Sequence, residues 1–252
     1  MPNLSYWEHN SFIGRPDLLI IGSGIVGLTA ALEYRHRFPL AKILVVERSP
    51  IAAGGSTRNA GFACFGSISE ILADLENHDE QTVIELIKSR WEGLDRLRKL
   101  VGDQNMAYQA TGNYELFRHQ DRDLFQKCQT AIPRLNELME TATGQREVFK
   151  EASHAISNLG LGQTQQLIWN KAEGMIHTGK MMHTLLSLAR KADIQILNGV
   201  TVNAVLPQNN QVLVSLDNEW EIKAHHAIVA TQELNNPYYL LLNAWGTRCT
   251  EY

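Results

Sequence analysis

Gly22, Gly24 and Gly27 stand at G-x-G-x-x-G spacing directly after the apolar run Leu18–Ile21, and Glu47 closes the next apolar run about twenty positions on. Ser23, Ile25 and Val26 complete the turn. The chemistry such a pattern serves is dinucleotide recognition. Gly22 permits a tight strand-to-helix turn, Gly24 lets the backbone approach a pyrophosphate, and Gly27 lets helix and strand pack closely. The helix N-terminus then presents free N–H groups to the phosphates. The Glu47 carboxylate can accept hydrogen bonds from ribose hydroxyls, and an unphosphorylated adenosine ribose is the better fit. Arg48 reads equally as a cover for adenine or as an ordinary surface charge.

A second loop follows, Gly54-Gly55-Ser56-Thr57-Arg58-Asn59-Ala60-Gly61-Phe62. Its hydroxyls and backbone N–H groups can bind phosphate, and Gly61 lets the backbone come close to a ligand. Arg58 has the fork geometry of an anion clamp for a substrate carboxylate, although a salt bridge or a phosphate contact is its default reading.

The loop resembles that of the FAD-dependent amino-acid and amine oxidases related to D-amino-acid oxidase, in Ser56, Thr57, Asn59, Ala60 and Gly61. The resemblance runs from about Leu18 to Thr231. It takes in Thr111–Leu116, Glu173–Ile176 and Gly199–Val205, where Val202 matches a backbone contact to adenine, and the strand Ile228-Val229-Ala230-Thr231. What it implies is FAD as cofactor and a small amine or amino acid as substrate, oxidised by hydride transfer from its α-carbon to the flavin. That chemistry demands no side-chain acid or base, so no catalytic residue is assigned.

The resemblance also sets the expected fold, an α/β class: a Rossmann-like FAD-binding domain with a parallel sheet and a β-meander, plus an incomplete α+β substrate domain. Residues 14–105 and 150–235 are expected to form the discontinuous FAD-binding domain, 106–149 a partial substrate domain, and 236–252 an atypical tail. Gln232-Glu233 departs from the family, which has glycine or Asn-Gly there, and family members continue well past this strand. The expectation is therefore a chain shortened at its C-terminus. Two other readings stay open: a truncated FAD- or nucleotide-binding protein without turnover, and a NAD-dependent dehydrogenase, which the second loop and the meander disfavour.

The elements that must position these residues follow from periodicity. Ile25–Arg37 reads as a helix stopped by Pro39, and Ile43–Val46 as a strand buried on both faces. Ser67 and Glu70 form a capping box for a helix to about Asn77, and Asp79 caps a longer one ending before Gly102, with Ile84, Ile87, Trp91, Leu94 and Leu97 as its core stripe. Tyr108 and Ala110 before a Thr111-Gly112-Asn113 turn, with Tyr114 and Leu116 after it, carry short strand signals. Asp121–Thr141 is helical in spacing, with Pro133 expected to kink or divide it. Leu167–Trp169 reads as a strand, and Thr178 as the cap of a helix through Ala189. Ile194–Leu197, Val200–Val205, Val212–Leu216 and Trp220–Lys223 resemble a strand and a meander with a turn at Asp217-Asn218, and Ala227–Ala230 a further buried strand. Met175, Met181 and Met182 read as core, and Tyr114 as either a cavity wall or half-buried packing.

Composition excludes several function classes. A net charge of -4, from 23 basic and 27 acidic residues, gives no footprint for nucleic acid or an anionic membrane. No apolar run is long enough to span a bilayer, and the N-terminus lacks a secretory pattern. Cys64, Cys128 and Cys249 are far apart and odd in number, which suggests neither a disulfide framework nor a zinc site; no metal is expected, and a reducing cytoplasm is the simplest home. Cys64 reads as a small buried thiol and His225-His226 as a strand end. Oligomeric state is not legible.

Overall fold

A computed structural model describes residues 4–217 and 220–231. Gln232-Glu233, Asn218 and the tail 236–252 lie outside the described residues. The chain divides into two compact units, one made of residues up to Asn59 together with residues from Thr178 on, the other running from Ala60 to His177.

The first unit is built on a parallel sheet with the strand order His226–Val229, Leu18–Ile21, Ile43–Glu47, Gln195–Asn198. Its two central strands are apolar without alternation and buried throughout, as a parallel strand covered on both faces must be. Leu19, Ile21, Leu44 and Val46 pack against Val205, Val214, Leu216 and Ile222 of an antiparallel meander. The meander comprises Val202–Gln208, Gln211–Leu216 and Glu221–Ala224. The helices Ile25–Arg37 and Thr178–Lys191 pack together. Asn209 and Asn210, at φ 44° and 61°, make the two-residue turn inside the meander, the left-handed pair that matches the twist of a hairpin. Ahead of the first strand, a short helical lead-in exposes Tyr6, Trp7 and Phe12 while Ile13 is buried in the core.

The second unit packs three helices, Ile68–Asn77, Glu80–Val101 and Arg122–Thr143, around Phe65, Ile87, Phe125, Leu135 and Phe149. Ser67 and Glu70 close the capping box, and Asp79 caps the second helix through the Thr82 N–H at 3.0 Å. Trp91 packs edge-on against Phe65 at 5.5 Å, but the fully buried residues of its helix are Val83, Ile87 and Val101. The three-stranded antiparallel sheet has the order Asn113–Phe117, Gln166–Asn170, Phe149–Glu151.

Several expectations are corrected. The strand signals on the two sides of Gly112 enter different pairings: Gln109 bridges Met175, and Asn113–Phe117 pairs with Gln166–Asn170. Gly112 sits at φ +69° and gives its N–H to the Glu173 carbonyl, which directs the chain away from a hairpin return. Pro133 does not divide its helix: it and Gln129 lie on the exposed side, where a carbonyl left without a donor is open to solvent. The second unit begins at Ala60, and its helices Ile68–Asn77 and Glu80–Val101 share a core with Arg122–Thr143. Cys64 is exposed, and Met175 is 46% exposed, while Met181 and Met182 are buried.

Candidate functional site

The carboxyl ends of the parallel strands open into a cleft of about 710 Å³ within the first unit. Open α/β sheets bind their ligands at that edge. Gly22 holds φ +106°, and a Cβ placed there would lie 2.6 Å from the carbonyl oxygen of Ala230. A Cβ on Gly27 would collide with the carbonyl of Gly22 and meet Ile20, so helix and strand approach as closely as they do only because this position is bare. The Gly22 N–H donates to Val46 and the Ala230 N–H to Ile21, which carries the sheet up to the cleft floor.

Ser56 reaches the start of the helix from the second loop. Its Oγ accepts the Ile25 N–H at 2.9 Å, and a Cβ on Gly24 would come within 3.0 Å of it. Glu47, at the end of its strand, is 9% exposed. Its Oε2 accepts both the Ser23 N–H and the Ser23 hydroxyl at 3.0 Å, and its Oε1 accepts the Ser49 N–H at 3.0 Å. The Glu47 carbonyl takes the Val200 N–H at 2.9 Å, which brings the approach to the meander alongside.

The expected residues divide cleanly. Gly22, Gly24, Ile25, Val26, Glu47, Arg48, Ser56, Val202, Ala230 and Thr231 line the cleft. Ser23 is buried behind Glu47, and Gly27 lies inside the helix. Thr57 and Asn59 serve the loop itself: the Thr57 hydroxyl bonds Ala52 and Gly54, and the Asn59 amide bonds the carbonyls of Gly55 and Ser56. Arg58 is exposed and gives its backbone N–H to the same Gly54 carbonyl at 2.9 Å. Ala60, Gly61 and Phe62 open the second unit and are not among the residues lining this cleft. Phe62 is 61% exposed and pairs with Met175.

Sequence reasoning missed Ala52, Ala53, Thr201 and Asn203 as cleft residues. The small pair Ala52-Ala53 was a usable signal, since it extends the side-chain-poor stretch before Gly54. Asn203 was not legible, because it is placed by a register shift in the meander opposite Ser215 and Leu216.

The donor set fits the adenosine diphosphate half of FAD. A helix start with glycine as its N-cap faces the cleft, a hydroxyl stands beside it, and a carboxylate lies one strand away. In the second unit, Glu173 is 1% exposed and accepts the N–H groups of Phe65 and Gly66 at 3.1 and 3.3 Å and the Asn113 amide at 3.0 Å. Burial raises its carboxyl above the usual range against those hydrogen bonds. Among the described residues no group of His, Cys, Asp and Glu gathers as a metal site, and no helix is long and apolar enough to cross a membrane.

A family model described as FAD dependent oxidoreductase matches residues 17–241. The bifunctional protein ThiO/ThiG of Synechocystis sp. is 24% identical over 222 residues, covering 85% of this chain and 29% of that protein. Among solved structures, glycine oxidase from Geobacillus kaustophilus superposes with a TM-score of 0.60 at 15% identity, over 86% of this chain and 55% of that one. L-proline dehydrogenase from P. horikoshii gives 0.62 at 20% identity, over 91% and 55%. These likenesses establish the fold, and the chain spans little more than half the length of either solved structure.

Proposed function

This chain belongs to the family of FAD-dependent oxidoreductases, and from that premise we propose that its discontinuous unit holds the adenosine diphosphate half of FAD in the cleft and that the protein oxidises an amine or amino acid. One observation carries the reading: Ser56 on the Ile25 N–H and Glu47, held by Ser23 and Ser49, meet in the same cleft as the glycine-led helix start. Bound there, FAD supplies the hydride acceptor.

The protein's own residues bind and orient. Ser56 accepts the Ile25 N–H and keeps its own proton to donate toward a phosphate oxygen. Glu47 receives the ribose, the backbone at Val202 faces the adenine, and Ala230 and Thr231 close the floor. By the family resemblance of their loop, we assign Ala60, Gly61 and Phe62 to the cofactor. The names of the relatives, glycine oxidase and L-proline dehydrogenase, favour a small amino acid or secondary amine. Free thiols at Cys64 and Cys128 support a reducing compartment such as the cytoplasm.

The test is reconstitution of purified protein with FAD, read by its visible absorption and by identification of the heat-released flavin. Uptake of FAD is expected, and a folded protein that takes up none overturns the reading. Anaerobic bleaching of the bound flavin by members of an amine and amino-acid panel tests the oxidation separately; bound flavin that no member bleaches would leave binding standing and remove the oxidase activity.

A further inference from the structure

Glu47 is held before any nucleotide arrives. A carboxylate offers about four acceptor positions, two on each oxygen. On Oε2 both are taken by one residue, through the backbone N–H and the hydroxyl of Ser23. On Oε1 one is taken, by the Ser49 N–H, and one remains. Ser23 is fully buried, so it reaches a ligand only by way of Glu47.

Resting on the FAD reading above, we propose that Ser23 is a positioning residue whose hydroxyl closes Oε2 of Glu47 and leaves Oε1 to receive a single ribose hydroxyl, the 2′-hydroxyl, of the adenosine half. With only the Ser23 N–H on Oε2 and the Ser49 N–H on Oε1, each oxygen keeps one open position. The Ser23 hydroxyl fills the one on Oε2 and leaves the one on Oε1. The carboxylate is thereby ordered in advance, so that less freedom is lost when the nucleotide binds. Neighbouring 2′- and 3′-hydroxyls then meet unequal surroundings, and the cleft distinguishes them. A buried serine is itself accounted for, since its hydroxyl has a charged acceptor where an alanine would have none.

The experiment is calorimetric titration of the full chain, freed of flavin, with ADP, 2′-deoxy-ADP and 3′-deoxy-ADP. Wild-type protein is expected to bind 2′-deoxy-ADP about tenfold or more weaker than ADP, the worth of one hydrogen bond to a charged group, and 3′-deoxy-ADP within about threefold of ADP. In Ser23→Ala and Ser23→Gly, which still bind ADP, the gap between the two deoxynucleotides is expected to shrink to about threefold or less. Variants that keep the full 2′-preference overturn the role of Ser23 while the FAD reading stands. Loss of all ADP binding in both variants overturns it too, because Ser23 is given no part in holding the phosphates. Wild-type protein that binds none of the three nucleotides takes down the FAD reading and this inference with it.

Discussion

The Ser56 hydroxyl accepts the Ile25 N–H at 2.9 Å, so a helix whose own N-cap is a glycine is capped by a loop 31 residues away. Ser56→Ala should therefore lower stability by about 1 kcal/mol, the usual worth of a capping oxygen, and lower Tm by a few degrees. On the proposed function it should also weaken ADP more than adenosine, since the hydroxyl stands beside the helix N-terminus. Thermal melting and calorimetry check both, and equal losses for the two ligands would place Ser56 away from the phosphates.

Gly27→Ala should be costly without altering any polar group. The added methyl meets the Gly22 carbonyl and Ile20, and overpacking of this kind costs about 1–3 kcal/mol. Denaturant unfolding followed with FAD uptake should show both falling together. Unchanged stability would mean that helix and strand are not in the close contact described.

Glu173 should make stability depend on pH in a definite direction. Burial raises its folded-state value above the ordinary glutamate value of 4.5. The folded protein thus holds the proton more tightly than the unfolded chain does. The stability this group contributes is fully present below 4.5 and is lost as pH rises through the raised folded value. Glu173→Gln, which resembles the protonated form, should flatten that part of the stability profile in denaturant melts across the acid-to-neutral range. Glu173→Ala should cost about 1–3 kcal/mol at every pH, because the Phe65 and Gly66 N–H groups lose their acceptor. A profile that Glu173→Gln leaves unaltered would remove Glu173 as its source.

The two described thiols should react in order. Cys64 is an exposed residue, but partial desolvation of its thiol and the nearby Glu173 and Glu70 push it above the usual thiol range, so alkylation at neutral pH should be slow and should accelerate with pH. Cys128 is buried and pushed up to about 11, and should label only on unfolding. Peptide mapping by mass spectrometry separates the two sites, and early labelling of Cys128 would contradict its burial.

Pro133→Ala should stabilise the protein. It restores a backbone donor in the middle of the exposed face of Arg122–Thr143, for a net gain of about 2 kcal/mol after the proline's effect on the unfolded chain is subtracted. Thermal melting decides this, with a lowered Tm as the contrary result.

What the sequence made legible was local. Gly24 and Pro39 bracket the helix Ile25–Arg37, and the Ser67 and Asp79 caps mark two more helix starts, because each signal acts within one turn of the residues it organises. The cleft was legible to the same degree, through Gly22, Gly24 and Glu47. Pairing across distance was not. Asn113–Phe117 finds Gln166–Asn170 rather than its neighbours because the partner is chosen by the packing of the whole second unit, which no short window contains. Thr57 and Asn59 carry the chemistry of ligand contacts and yet bond their own loop, a choice that depends on how tightly residues 52–59 turn.

The Ile176 N–H donates to the Gly61 carbonyl at 2.8 Å, one residue inside each end of the second unit. The place where the chain enters that unit and the place where it leaves are therefore tied together. A segment with joined ends can be added to a host, enlarged or exchanged for another without pulling the host's strands apart. The half between Ala60 and His177 can in this sense be rewritten while the strand order of the parallel sheet in the other half is left alone.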